Sequence, residues 1–140
     1  MSLLGERERD AVASLWEHLA HDVGVRLDVG PVATPVALLA AGGREIDTNA
    51  EARALVEELC ALSDRVTLEL FEHEEAGAYP SLTVGAGLRY VGLPWGYELA
   101  SVVQAVAVAG ADGPTLSEPS LERLGAIDRP VSIDVFVTPT

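Results

Sequence analysis

The feature that most constrains the fold is a change of apolar period in the middle of the chain. In "DTNAEARALVEELCALSD", Asp47 to Asp64, the residues Leu55, Leu59 and Leu62 recur at helical spacing. In "RVTLELFEHEE", which follows at Arg65, the residues Val66, Leu68 and Leu70 recur at every second position. Spacings of three and four put side chains on one stripe of a helix; a spacing of two puts them on one face of a strand. A helix running straight into a strand, each with one apolar side, buries both against a shared core. That is an α/β arrangement.

The rest of the chain continues the alternation. A first helix is expected from about Glu6 to His21, with Val12, Leu15, Trp16 and Leu19 on one face and Gly24 as its left-handed cap. "VRLDVGPVAT" reads as a short edge strand through Val25, Leu27 and Val29, because Pro31 and Pro35 do not suit a sheet centre. "PVALLAAGG", Pro35 to Gly43, is a continuous apolar run closed by glycines and reads as a buried strand. Thr48 and Glu51 have capping-box spacing at the start of the second helix. "AYPSLTV" and "GLRYVG" read as a turn and the two strands of a hairpin. "PWGYELASVVQAVAVAG" reads as a third helix with Pro94 at its start and Leu99, Val102, Val103 and Val106 inward. "TLSEPSLERLGAID" reads as a short fourth helix. The chain closes on "VSIDVFVTPT", where Val131, Ile133, Val135 and Val137 alternate with Ser132, Asp134 and Phe136. That is a strand with no helix after it.

Composition narrows the function classes. The 140 residues are 49% hydrophobic and 22% charged, enough for one domain with a real core. The net charge of −13 argues against binding nucleic acid or anionic lipid by charge. The N-terminus, "MSLLGERERD", is too charged for a signal peptide, and the apolar stretch from Leu99 to Ala109 is too short to span a bilayer. A cytoplasmic protein is expected. The single cysteine, Cys60, excludes an intramolecular disulfide, a Cys-x-x-Cys pair and a cysteine zinc cluster. Cys60 falls on the flank of the second helix's apolar stripe, well past the helix start, and reads as packed and inert.

Other chemistry-bearing residues read as structural. His18 and His21 are three apart, but two ligands do not make a zinc site. His73 within "FEHEE" reads as a solvated strand end. Gly85, Gly87, Gly92 and Gly96 lack phosphate-loop spacing and read as turn and packing glycines. Trp16 reads as a core anchor and Trp95 as a partly exposed residue near a helix start. No metal and no cofactor is expected.

Four segments carry a family resemblance: "ALVEELCALSDRVTLELFE", "YPSLTV", "LRYVGLPWGYELASVVQAVAVAG" and "IDRPVSIDVFVTPT". Together they resemble the tandem thioredoxin-fold proteins. These are the protein disulfide oxidoreductases, often called glutaredoxin-like, and the N-terminal region of the alkyl hydroperoxide reductase flavoprotein subunit is similar. The segment "RYVGLPWGYEL" is the most specific, with Tyr97 where the family usually has His and Leu99 where it has Phe. The resemblance implies an α/β thioredoxin-like fold: a central mixed sheet flanked by helices, with an extra C-terminal helix and strand. It implies a thioredoxin-like unit at 1–110, an interunit helix at 111–130, and at 131–140 the first strand of a truncated second unit.

The family's redox motif, counted back from "ALVEEL", falls at Ile46 and Asn49, and neither is cysteine. Pro80 stands where the family has a proline, usually cis, before the third strand. The resemblance therefore implies a non-catalytic unit of a thiol–disulfide oxidoreductase system. Its implied partner is a second thioredoxin-like unit, a peroxiredoxin-type protein or a second copy, with no nucleic acid and no membrane. The alternative is a stand-alone assembly module that pairs through its C-terminal strand.

Overall fold

The structure is a computed structural model that describes residues 2–33, 43 and 45–137. Its elements are α1 (Glu6–Trp16), β1 (Val23–Val29), α2 (Thr48–Cys60), β2 (Val66–Glu72), β3 (Ser81–Val84), β4 (Leu88–Val91), α3 (Tyr97–Ala109) and α4 (Glu118–Gly125).

The four strands form one mixed sheet in the order β2-β1-β3-β4. β1 runs parallel to β2, with Val25 opposite Leu68 and Asp28 opposite Phe71. It runs antiparallel to β3, which forms a hairpin with β4. The segment expected as an edge strand is therefore the centre of the sheet. The prolines do not oppose this, because Pro31 comes after the last ladder residue, Val29. Gly24 is the second residue of β1 and caps no helix. The strand expected at Pro35–Gly43 lies, apart from Gly43, outside the described residues.

Alternation along β1 separates two chemistries. Val23, Val25 and Leu27 point into the core together with Val66, Leu82 and Val84. The same cluster holds Val12 and Trp16 of α1, Ala52, Leu55, Val56 and Leu59 of α2, and Val102, Val103 and Val106 of α3. These three helices thus cover one face of the sheet. Each fully buried Leu or Val contributes about 1.5–3 kcal/mol. The opposite face carries Arg26, Asp28, Glu69, Phe71, Thr83 and Arg89, placed there by the same period of two.

Helix ends are set by local hydrogen bonds. α1 begins where the Gly5 N–H donates to the Glu8 carboxylate at 2.8 Å. It stops at Trp16, five residues short of the expected His21, and Leu15 stays half-exposed. The chain beyond is held by α3: the N–H groups of Ala20 and His21 both donate to the Gly110 carbonyl, at 2.8 and 3.0 Å. The Trp16 indole N–H, deep in the core, donates to the Val103 carbonyl at 3.1 Å. α2 is capped by Asp47, whose carboxylate accepts from the Ala50 N–H at 3.1 Å; Thr48 is its first helical residue and not its cap. α3 begins at Tyr97, with Gly96 as the preceding cap residue at φ +61° and Pro94 two residues further back.

The C-terminal strand is the clearest departure from expectation. Val131–Val137 makes no ladder with any described strand, and all seven residues are exposed. α4 buries none of its residues either, leaving Leu121, Leu124 and, just beyond, Ile127 in solvent. A two-fold alternation of apolar residues encodes which face of a strand would be buried, but not the partner that buries it.

Candidate functional site

Three chain segments converge at the end of β1 where the central strand leaves the sheet. The first is "RLDVG", Arg26 to Gly30. The second is the start of α2. The third is His73 to Pro80, which links β2 to β3. β1 is joined to the third segment by main-chain bonds: the His73 N–H donates to Val29 at 2.9 Å and the Gly77 N–H to Pro31 at 2.9 Å. It is joined to α2 by Asn49, whose side-chain amide donates to the Gly30 carbonyl at 2.8 Å. The Asn49 side-chain oxygen is buried, with no hydrogen-bond partner among the described residues.

Asp28 is the centre of this edge. It is buried, yet it faces away from the apolar core. Arg26, two residues earlier on the same face, donates to it twice, at 2.8 and 2.7 Å. His73 Nε2 lies 2.7 Å from Asp28 Oδ1. The Arg26 hydrogen bonds hold the Asp28 carboxyl below its ordinary pKa, with His73 adding to them against the opposing effect of burial. The pairing raises the Arg26 pKa in turn. The Arg26 guanidinium also lies 4.0 Å from the centre of the Phe71 ring, so one cation is shared between a carboxylate and an aromatic face.

His73 is thus no solvated strand end. Its ring stacks on Tyr79 with centroids 4.9 Å apart and planes 9° apart. Tyr79 in turn fills the space beside two glycines: a Cβ on Gly30 would stand 2.9 Å from the ring, and one on Gly77 2.8 Å from it. The Tyr79–Pro80 peptide bond is cis, and Pro80 is fully buried at the start of β3. Behind it Ser81, also buried, accepts a 2.7 Å hydrogen bond from Arg89.

The residues singled out from sequence fall unevenly around this edge. Asn49 and Pro80 belong to it. Ile46 is half-buried one residue before the Asp47 cap. Cys60 is elsewhere: it closes α2, about 18 Å along the axis from the helix start at 1.5 Å per residue. Burial pushes its thiol pKa up to about 11. His21 pairs with Asp112 at 3.2 Å, at the other end of β1. No group of three or more His, Cys, Asp or Glu among the described residues is placed to hold a metal ion. No described helix is long and apolar enough to cross a membrane.

Sequence reasoning missed the Arg26–Asp28–His73–Tyr79 cluster. The available signal was the Arg-x-Asp pair on a strand whose other face is wholly apolar. Two charges facing one way on a central strand require a partner, and His73 is supplied from 45 residues away.

No family model and no curated protein matches this chain. Solved structures do. The alkylhydroperoxide reductase AhpF of Enterococcus faecalis (a C503A mutant) superposes with a TM-score of 0.69 at 19% identity, covering 88% of this chain and 60% of that one. The NTD_N/C domain of the same reductase gives 0.66 at 20% identity, covering 86% and 58%. A protein disulfide oxidoreductase from Aeropyrum pernix gives 0.69 at 15% identity, covering 87% and 54%. The fold is thioredoxin-like. This thioredoxin-like chain spans 54% to 60% of the length of the solved chains it matches. Its convergent edge is built around an Asp–Arg–His cluster and, among the described residues, holds no thiol.

Proposed function

We propose that the chain is a non-catalytic thioredoxin-like unit of a thiol–disulfide oxidoreductase system, acting as a scaffold that presents an interface to another unit. The observation that carries this reading is the start of α2. A catalytic thiolate there would draw on free N–H groups and the helix dipole. Here Asp47 caps the helix and Asn49 ties it to β1; the resemblance aligns Ile46 and Asn49 with the family's redox pair. The one thiol, Cys60, sits at the opposite helix end with its pKa near 11, so almost none is thiolate at neutral pH. Attack on a disulfide needs the thiolate, and release of the mixed disulfide needs a second thiol.

In this reading residues 1–110 form the unit, 111–130 the interunit helix, and 131–140 the first strand of a second unit. The partner is a second thioredoxin-like unit, a peroxiredoxin-type protein or a second copy of the chain, in the cytoplasm, without nucleic acid or membrane. Insulin reduction by dithiothreitol in the presence of the chain tests it. The rate should equal that of dithiothreitol alone, for the native chain and for Cys60→Ala alike. Acceleration by the native chain would overturn the reading.

One observation favours a second reading, a stand-alone assembly module that pairs through its C-terminal strand. Val131–Val137 is exposed along its whole length and pairs with no described strand.

A further inference from the structure

The sheet ends at β4, and that edge is unpaired among the described residues. At the turn end of that edge, on the helix-covered face, a groove of about 680 Å³ lies between the β3–β4 turn, Leu88 and α3. Its walls are mostly apolar and small, with Val84, Leu88, Ala105 and Val108 among them, and the polar Ser101 and Gln104 of α3 also line it. Leu88 and Val108 remain largely exposed in it. On the other face of the same edge stands Arg89, opposite Thr83, with Val91 beyond it. Arg89 hydrogen-bonds Ser81 and has no carboxylate within ion-pair distance among the described residues. The edge thus offers an apolar slot on one face and an unneutralised cation on the other.

Val131–Val137 has the complementary pattern. Val131, Ile133, Val135 and Val137 form one face, and Ser132, Asp134 and Phe136 the other. Only one of the two ways of laying this strand along β4 satisfies both features. With the odd-numbered residues toward α3, β-branched side chains reach the groove where Leu88 and Val108 line it, and Asp134 comes to the face of Arg89. The reverse buries Asp134 in the apolar slot, where an unpaired carboxylate is strongly disfavoured. Phe136 then lies on the same face as the exposed Val91. We propose that Val131–Val137 of a second copy of this chain adds to the β4 edge as a fifth strand, in a reciprocal exchange. Each copy leaves its own edge empty and its own strand free, so one two-fold contact fills both edges and covers both strands. This pairing rests on the second reading, in which the C-terminal strand is an assembly element, and not on the redox reading, which gives that strand to a second unit.

Sedimentation of the 140-residue chain over a range of concentrations tests the pairing, in salt sufficient to screen repulsion between two molecules of charge −13. A concentration-dependent dimer is expected. Ile133→Asp, at an exposed position outside the core, should weaken association by about tenfold or more. Arg89→Glu should weaken it as well, and Arg89→Glu with Asp134→Arg should restore it. Cysteine placement identifies the occupant: Arg89→Cys chains mixed with Asp134→Cys chains should form a disulfide-linked heterodimer. A monomer at every concentration would overturn the proposal. So would a dimer indifferent to these changes, or a single chain carrying both cysteines that links only to itself.

Discussion

Asp28 shows how one residue on a central strand can organise an edge of the sheet. Its carboxylate is held down first by Arg26 and then by His73. In an NMR titration, Arg26→Ala should therefore raise the Asp28 pKa more than His73→Ala does. The sign of the stability effect follows from the lowered pKa. The stabilisation from Asp28 is present above its unfolded value near 3.8 and is lost as pH falls through the folded value. Asp28→Ala should cost about 1.5–3 kcal/mol in urea unfolding at neutral pH, the range for hydrogen bonds to a charged group. Cys60 behaves in the opposite sense. Its thiol pKa is raised from 9.0 to about 11, so the unfolded chain loses this proton first and stability should fall as pH rises across that window. Alkylation of the native chain near neutral pH should be slow and should accelerate on adding denaturant; fast labelling of the folded chain would mean that packing does not shield the partly buried thiol.

At the scale of elements, two glycines mark close approaches that a methyl group would break. A Cβ on Gly30 would stand 2.9 Å from the Tyr79 ring and 3.0 Å from the His73 carbonyl, and the latter is main chain that cannot swing aside. A Cβ on Gly110 would stand 2.6 Å from Leu19, 2.9 Å from Val23 and 3.1 Å from the His21 carbonyl. Alanine at either position should destabilise by about 1–3 kcal/mol, the usual cost of overpacking, read as a lower urea midpoint. Elements with local patterns were legible from sequence: α2, β2, the β3–β4 hairpin and α3 each carry their own period and turn residues. β1 was legible as a strand but not as the centre of the sheet, because neighbours on both sides come from far along the chain, Val66 at one edge and Leu82 at the other. The Arg26–Asp28 half of the cluster was signalled by the sequence, but the His73 half was hidden for the same reason. His73 looks like one more charge in an acidic strand end until β2 is set in register against β1.

For the whole molecule, the division falls between a compact unit and an arm. Among the described residues, every buried apolar side chain of the core lies at or before Val106, and α4 with the segment beyond it contributes none. A chain ending at residue 115 should therefore keep its stability in urea within about 0.5 kcal/mol of the full chain, as surface changes do. A larger loss would show that the arm packs on the unit in solution. The same comparison by sedimentation separates stability from assembly, since the shortened chain retains the β4 edge but lacks the strand that would fill it.

The Gly110 carbonyl, which accepts from both Ala20 and His21, fixes where that arm is rooted. The arm leaves from the point where the end of α3, the tail of α1 and the start of the central strand meet. Any tension applied through the arm, by a tethered neighbour or by a pulled bead, enters the molecule at this hub and loads the two hydrogen bonds there together. The sheet edges would feel it last. Mechanical failure should begin with α1 peeling from α3, leaving the Asp28 end of the central strand undisturbed.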